Sequence, residues 1–181
     1  MSRLFPLSIL AFLPLLLHGQ VDLTDHFSTL LDRAGLTFVE PLEARYKDIR
    51  LAGNDYADCQ FAIRSRKEKL EIRYLVYPYQ EEDPLSFAPH VRAMRLLVSL
   101  ATNQQESIMR GMEVAKADLE EQFQADWGKV FFFTPKPGFT SWQQCKMLAL
   151  HREGQGTAFV FFLFDKPTAA LDYRFYALQF E

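Results

Sequence analysis

Residues Glu121 to Phe164 read EQFQADWGKVFFFTPKPGFTSWQQCKMLALHREGQGTAFVFFLF. No other stretch of the chain has comparable burying power. Thr157 to Phe164 is apolar on both faces apart from Thr157, the pattern of a central strand covered on two sides. Residues 145–151 form the other arm of its hairpin, around Glu153-Gly154-Gln155-Gly156. Lys129 to Thr134 reads as a further strand, broken by Pro135-Lys136-Pro137-Gly138. Upstream, Ile108, Met112, Ala115, Leu119 and Phe123 recur at helical spacing, and Asn103 with Glu106 has the form of a capping box. The spacing predicts a helix over 104–125, stopped by Trp127-Gly128. All of this is core architecture, and architecture does not name a reaction.

Working outward, Leu23, Phe27, Leu30, Leu31 and Ala34 predict a helix over 23–34, ended by Gly35. Leu36 to Val39 follows as a short strand. Cys59, Phe61 and Ile63 alternate with polar residues, as do Leu70, Ile72, Tyr74 and Val76. The charged link Ser65-Arg66-Lys67-Glu68 makes these an antiparallel pair with one wet face. Pro89 to Ala101 reads as a helix, with Val91, Met94, Val98 and Ala101 at its spacing and Pro89 in the first turn. Tyr173 to Phe180 reads as a last strand. Strands, then helices, then strands predict an α+β domain, a mainly antiparallel sheet of about five to seven strands with helices packed on one face.

The chain has 181 residues, 49% of them hydrophobic and 24% charged, which suits one folded domain. A net charge of -3 without a Lys/Arg block argues against nucleic acid as a partner. Met1-Ser2-Arg3 is a short positive start, Leu4 to Leu17 is uncharged and apolar, and His18-Gly19 ends the run. That order matches a secretory signal over 1–19, with cleavage after Gly19 and a mature domain over 20–181. The alternative, an uncleaved anchor, requires about 20 apolar residues, and this run is shorter and carries Pro6 and Pro14. No other run approaches membrane length, so a soluble mature body without a transmembrane segment is expected, periplasmic or extracellular. In that compartment the even cysteine count suggests a Cys59–Cys145 disulfide; the alternative is two buried free thiols on strands.

Glu71-Ile72-Arg73-Tyr74 leading to Pro78, together with Ala125-Asp126-Trp127-Gly128 before a strand, resembles small exported bacterial proteins with the same order of elements. The layout is also similar to PsbP/Mog1-like domains, which pack helices on an antiparallel sheet. The exported family has no established activity, so the resemblance implies no catalytic residue. Its layout implies a binding or assembly role, by analogy of fold alone.

Local motifs for chemistry are few. His26, His90 and His151 are unpaired at i+3 or i+4 and no CxxC occurs, so no metal is expected. Cys145 and His151 share a strand face but lie too far apart to form an activated pair, and His151 beside the turn is expected to be solvated. No GxSxG, Walker loop, HExxH or GxGxxG is present, so neither a catalytic residue nor a cofactor is expected. Asp126, Trp127 and Gly128 form the candidate corner or contact site. An acid at a helix C-terminus opposes the macrodipole, which Lys129 or Arg73 would compensate; otherwise Asp126 bonds locally as a turn residue. Gly128 at positive φ and a buried, hydrogen-bonded Trp127 are expected there. An exposed patch from Phe131 to Phe133 with Phe139 would be a partner site.

The leading expectation is an exported, non-enzymatic domain that binds a protein or envelope component. Its rivals are an enzyme with a site assembled across the sheet and a carrier of a small apolar ligand. Protein isolated from its native host should begin near Gln20; N-terminal sequencing that finds Met1 or Ser2 retained would overturn the signal.

Overall fold

The computed structural model describes residues 21–51, 53–103 and 109–181. The expected signal, residues 1–19, and Glu106 of the expected capping box lie outside them. In chain order the elements are α1 (Asp25–Arg33), β1 (Leu36–Phe38), β2 (Lys47–Asp48), β3 (Phe61–Ser65), β4 (Leu70–Pro78) and α2 (Pro89–Leu100). They continue with β5 (Arg110–Glu113), α3 (Lys116–Asp118), β6 (Trp127–Phe133), β7 (Gln144–Arg152), β8 (Gly156–Phe164), α4 (Ala170–Tyr173) and β9 (Leu178–Phe180). Seven strands form one antiparallel sheet in the order β2-β3-β4-β8-β7-β6-β5, and β1 pairs with β9 in a second. The fold is α+β, built on an antiparallel sheet as the strand patterns predict.

β8 lies at the centre of that order, and every one of its residues is buried. Both faces of the sheet are therefore covered. On one face α1 brings Phe27 and Leu31 onto β3 and β4, with Phe27 stacked 4.9 Å from Phe61. Thr24 caps that helix, its hydroxyl accepting from the Phe27 N–H at 3.2 Å, and Gly35 takes φ +56 just beyond its end. On the opposite face α2 packs Ala93, Leu96, Leu97 and Leu100 against Leu75, Met147, Phe159 and Phe161. The helices, expected on one face, are thus divided between two, as the doubly apolar β8 demands.

That coverage also decides the α2 register. Met94 and Val98, chosen by spacing, are exposed, whereas Ala93, Leu96, Leu97 and Leu100 offer an equally regular and more apolar stripe. The wet face expected for the β3–β4 hairpin is dry on β4: Glu71 and Arg73 are buried. The helix expected over 104–125 does not form as one element. Residues 104–108 lie outside the described chain, Arg110–Glu113 is a strand, and only α3 with a π-turn over Leu119–Phe123 is helical. Gly111 weakens a helix at that point, and the open edge of β6 offers its backbone hydrogen bonds instead. The last strand is short because α4 occupies its expected start, leaving Leu178–Phe180 to pair with β1.

The corner at Asp126-Trp127-Gly128 is built differently from expectation. Gln124, at φ +49, turns the chain, and Gly128 is an ordinary strand residue opposite Leu150. A side chain there would crowd its neighbours. A Cβ there would sit 2.7 Å from Leu119 Cδ2 and 3.1 Å from Val114 Cγ2. Gly128→Ala should therefore lose about 1–3 kcal/mol of stability to overpacking. Gly53→Ala, where no atom lies within 4 Å, should stay within about 0.5 kcal/mol of the parent. Urea unfolding of the two variants checks both.

Candidate functional site

Glu71 and Arg73 are two residues apart on β4, so the strand's alternation sends both side chains to the α2 face. The register puts Arg64 of β3 directly opposite Glu71. Arg73 donates to Glu71 Oε1 through Nε at 2.7 Å and through Nη2 at 2.7 Å. Arg64 donates to Oε2 through Nε at 2.8 Å and through Nη2. Trp142 completes the shell, its Nε1–H donating to Oε2 at 3.0 Å. Both carboxylate oxygens are thus occupied by donors from three residues, with no solvent-exposed surface on Glu71. Burial alone would raise the Glu71 pKa. The Trp142 hydrogen bond and the Arg73 and Arg64 charges outweigh it and hold the carboxyl below its ordinary range.

The cluster reaches beyond itself. Arg73 Nη1 donates to the Phe139 carbonyl at 2.8 Å and its guanidinium lies 4.8 Å from the Phe139 ring centroid. This fixes the connection between β6 and β7. Trp142, half-buried on that connection, is then held by its ring nitrogen. Around it opens a groove of about 950 Å³ lined by Arg110, Met112, Phe132, Pro135, Pro137 and Trp142, among others. Its far bank is β5, whose residues are all exposed, Met112 by 59%. β5 ends the sheet, and among the described residues no strand pairs with its outer edge. Arg64 lies 5.8 Å from the Trp142 ring centroid and lines a second groove of about 640 Å³ with Arg45, Lys47, Asp48, Arg66 and Lys67.

The sequence-predicted residues fall in several places. Arg73 belongs to the Glu71 cluster and does not meet the Asp126 corner. Asp126 accepts the Glu153 N–H at 2.7 Å and donates its own N–H to the His151 carbonyl, tying β6 to the β7–β8 turn. Lys129, offered as its counter-ion, pairs with Glu113 at 2.7 Å. Trp127 is half-buried against the α2-side core, opposite His151 in register. His151, expected to be solvated, is buried, with Nδ1 3.1 Å from the Thr157 hydroxyl. The expected Phe patch is closed: Phe131, Phe133 and Phe139 are core, and Phe132 alone of the four is half-buried.

Cys59 and Cys145 are free thiols here, half-buried and buried. Burial pushes the Cys59 thiol up to about 12 and the Cys145 thiol well above its usual value, which is opposite to what a thiolate nucleophile needs. Among the described residues no group of three His, Cys, Asp or Glu is placed to hold a metal, and no helix is long and apolar enough to cross a membrane. Comparison with protein-family models, curated proteins and solved structures finds no match for this chain.

Sequence reasoning missed Glu71, Arg64 and Trp142 as a unit. The available signal was β8: a strand covered on both sides implies that its neighbour β4 is covered on both sides too. The charges of β4 must then find partners inside the fold.

Glu71→Gln removes the carboxylate and leaves Arg73 buried without its counter-charge, a loss of about 3–5 kcal/mol for a broken buried pair. Because the folded pKa of Glu71 is depressed, its contribution is fully present above the unfolded value of about 4.3. It is lost as pH falls through the folded value. Urea midpoints at neutral and acid pH should show a smaller pH dependence in Glu71→Gln than in the parent. An unchanged midpoint at neutral pH would remove the cluster from the structural account.

Proposed function

We propose that this chain is an exported, non-enzymatic binding module, acting in the periplasm or outside the cell on a protein or envelope component. The groove between β5 and Trp142 receives an extended segment of that partner. One observation carries the reading: an edge strand whose outer side pairs with no strand among the described residues forms one bank of the groove, and a tryptophan locked by a buried carboxylate forms the other. A partner strand added to β5 would satisfy the edge backbone groups, while the groove selects its side chains. Met112, Phe132 and Trp142 supply apolar and aromatic contact, the residue types that dominate interface energy. Because Trp142 is already fixed, little ordering cost is left for binding. The binding role that the PsbP-like resemblance implies agrees with this reading. An open groove with an exposed rim also suits a macromolecular segment better than the closed aromatic cavity a small-ligand carrier needs.

Selection of displayed peptides against the folded protein tests the groove. In a Trp127→Phe background Trp142 is the remaining tryptophan, and bound peptides should change its emission. Met112→Glu alters an exposed side chain and should weaken those peptides roughly tenfold or more, the loss of one buried apolar contact with an added desolvation cost. Peptides that bind Met112→Glu as tightly as the parent, or a selection that returns none, would overturn the groove as the binding site.

A further inference from the structure

The second groove has a chemistry of its own. Arg45, Lys47, Arg64, Arg66 and Lys67 line it against a single acid, Asp48. They come from two separate pieces of chain: β2 with the loop before it, and β3 with the turn that follows. The end of β3 and the charged link after it supply Arg64, Arg66 and Lys67, and the fold adds Arg45 and Lys47 to them, in a chain that as a whole is acidic at -3. The fold concentrates positive charge here against the overall balance.

The cations are also poorly compensated from within. Arg64 is shared with Glu71, and that carboxylate is claimed by Arg73 as well. Glu68, the acid beside Lys67, is held by Arg174 at 2.8 Å. Among the described residues none of Arg45, Lys47, Arg66 and Lys67 forms a salt bridge. Lys47 and Arg64 stand directly opposite each other in the β2–β3 register. Like charges at that position destabilise a ladder, and a bound anion between them reverses the sign of the interaction. Arg45 is held at φ +52, an uncommon backbone conformation for a residue with a side chain.

We propose that this groove is an anion site for a phosphate-bearing ligand. A phosphate carries multiple charges and several acceptor oxygens, so it engages arginine forks and lysine ammoniums together. A single carboxylate would leave most of the donors idle. The space of about 640 Å³ holds a diphosphate or a phospholipid headgroup, which share the recognised group. The site stands independently of the β5 groove: the two linings share no residue, although Arg64 of one lies 5.8 Å from the Trp142 ring centroid of the other.

Two probes separate the sources: inorganic pyrophosphate by titration calorimetry, and cosedimentation with phosphatidylcholine vesicles with and without phosphatidylglycerol. The variant Lys47→Ala/Lys67→Ala changes exposed side chains, and its thermal melt should match the parent. Pyrophosphate affinity should fall roughly tenfold or more in it, as expected for the loss of two charged donors. Lys69→Ala, on the same turn but outside the groove lining, should bind as the parent does. Binding only to phosphatidylglycerol vesicles, lost in the same double variant, also supports the site and places the phosphate on a lipid. Absence of binding to both probes at physiological ionic strength overturns it. So does a loss in Lys69→Ala equal to that in the double variant, which would reduce the effect to net charge. Met112→Glu should leave pyrophosphate binding intact, so failure of the peptide groove and failure of the anion site give different results.

Discussion

Glu71 places a carboxylate with no solvent access on a sheet face whose core is mostly Leu, Phe, Ala and Met. Removing such a charge from water costs several kcal/mol, and only dense pairing offsets it. The fold supplies that pairing from three directions, and each partner then fixes something larger. Arg73 holds the β6–β7 connection through the Phe139 carbonyl. Trp142 becomes a rigid groove wall. Arg64, half-exposed and shared with Glu71, also lines the basic groove. One buried anion thus organises two surfaces of opposite character at one end of the sheet.

The two ends of the sheet are unlike. The registers bring the start of β4 and β7 together with the ends of β3, β6 and β8. Both grooves lie there. At the other end Asp126 ties into the β7–β8 turn, and His151 meets Thr157. Arg92 of α2 pairs with Asp83 and stacks 4.4 Å from Tyr77. Polar groups close one end and open the other, although both are built from the same kinds of residue.

Much of the architecture was legible where a local pattern and its tertiary setting agreed. Thr157–Phe164 reads as a doubly covered strand and is one; Gly35 reads as a helix stop and takes the left-handed conformation. The failures came where a neighbour overrode a regular spacing. The 108–123 stripe is helical in period, yet the open edge of β6 captured Arg110–Glu113 as a strand. Val91, Met94 and Val98 are as regular as the stripe that α2 buries, and periodicity alone does not choose between them. The site was the least legible part. Glu71 and Arg73 alternate with apolar residues just as a solvated face does, and Trp142 reaches them from 71 positions away.

The pairing of β1 with β9 has a consequence for how the chain acquires its fold. Thr37 bonds Glu181 across 144 positions, and the Glu181 N–H donates to the Gly35 carbonyl at 2.9 Å. Leu178 and Phe180, carried by β9, are fully buried against the α1 face. Contacts of such sequence separation are slow to form, because loop closure must precede any gain from burial. During synthesis the core over α1 stays incomplete until β9 is available. Until then that apolar face is uncovered, and such exposed apolar surface is what chaperones recognise.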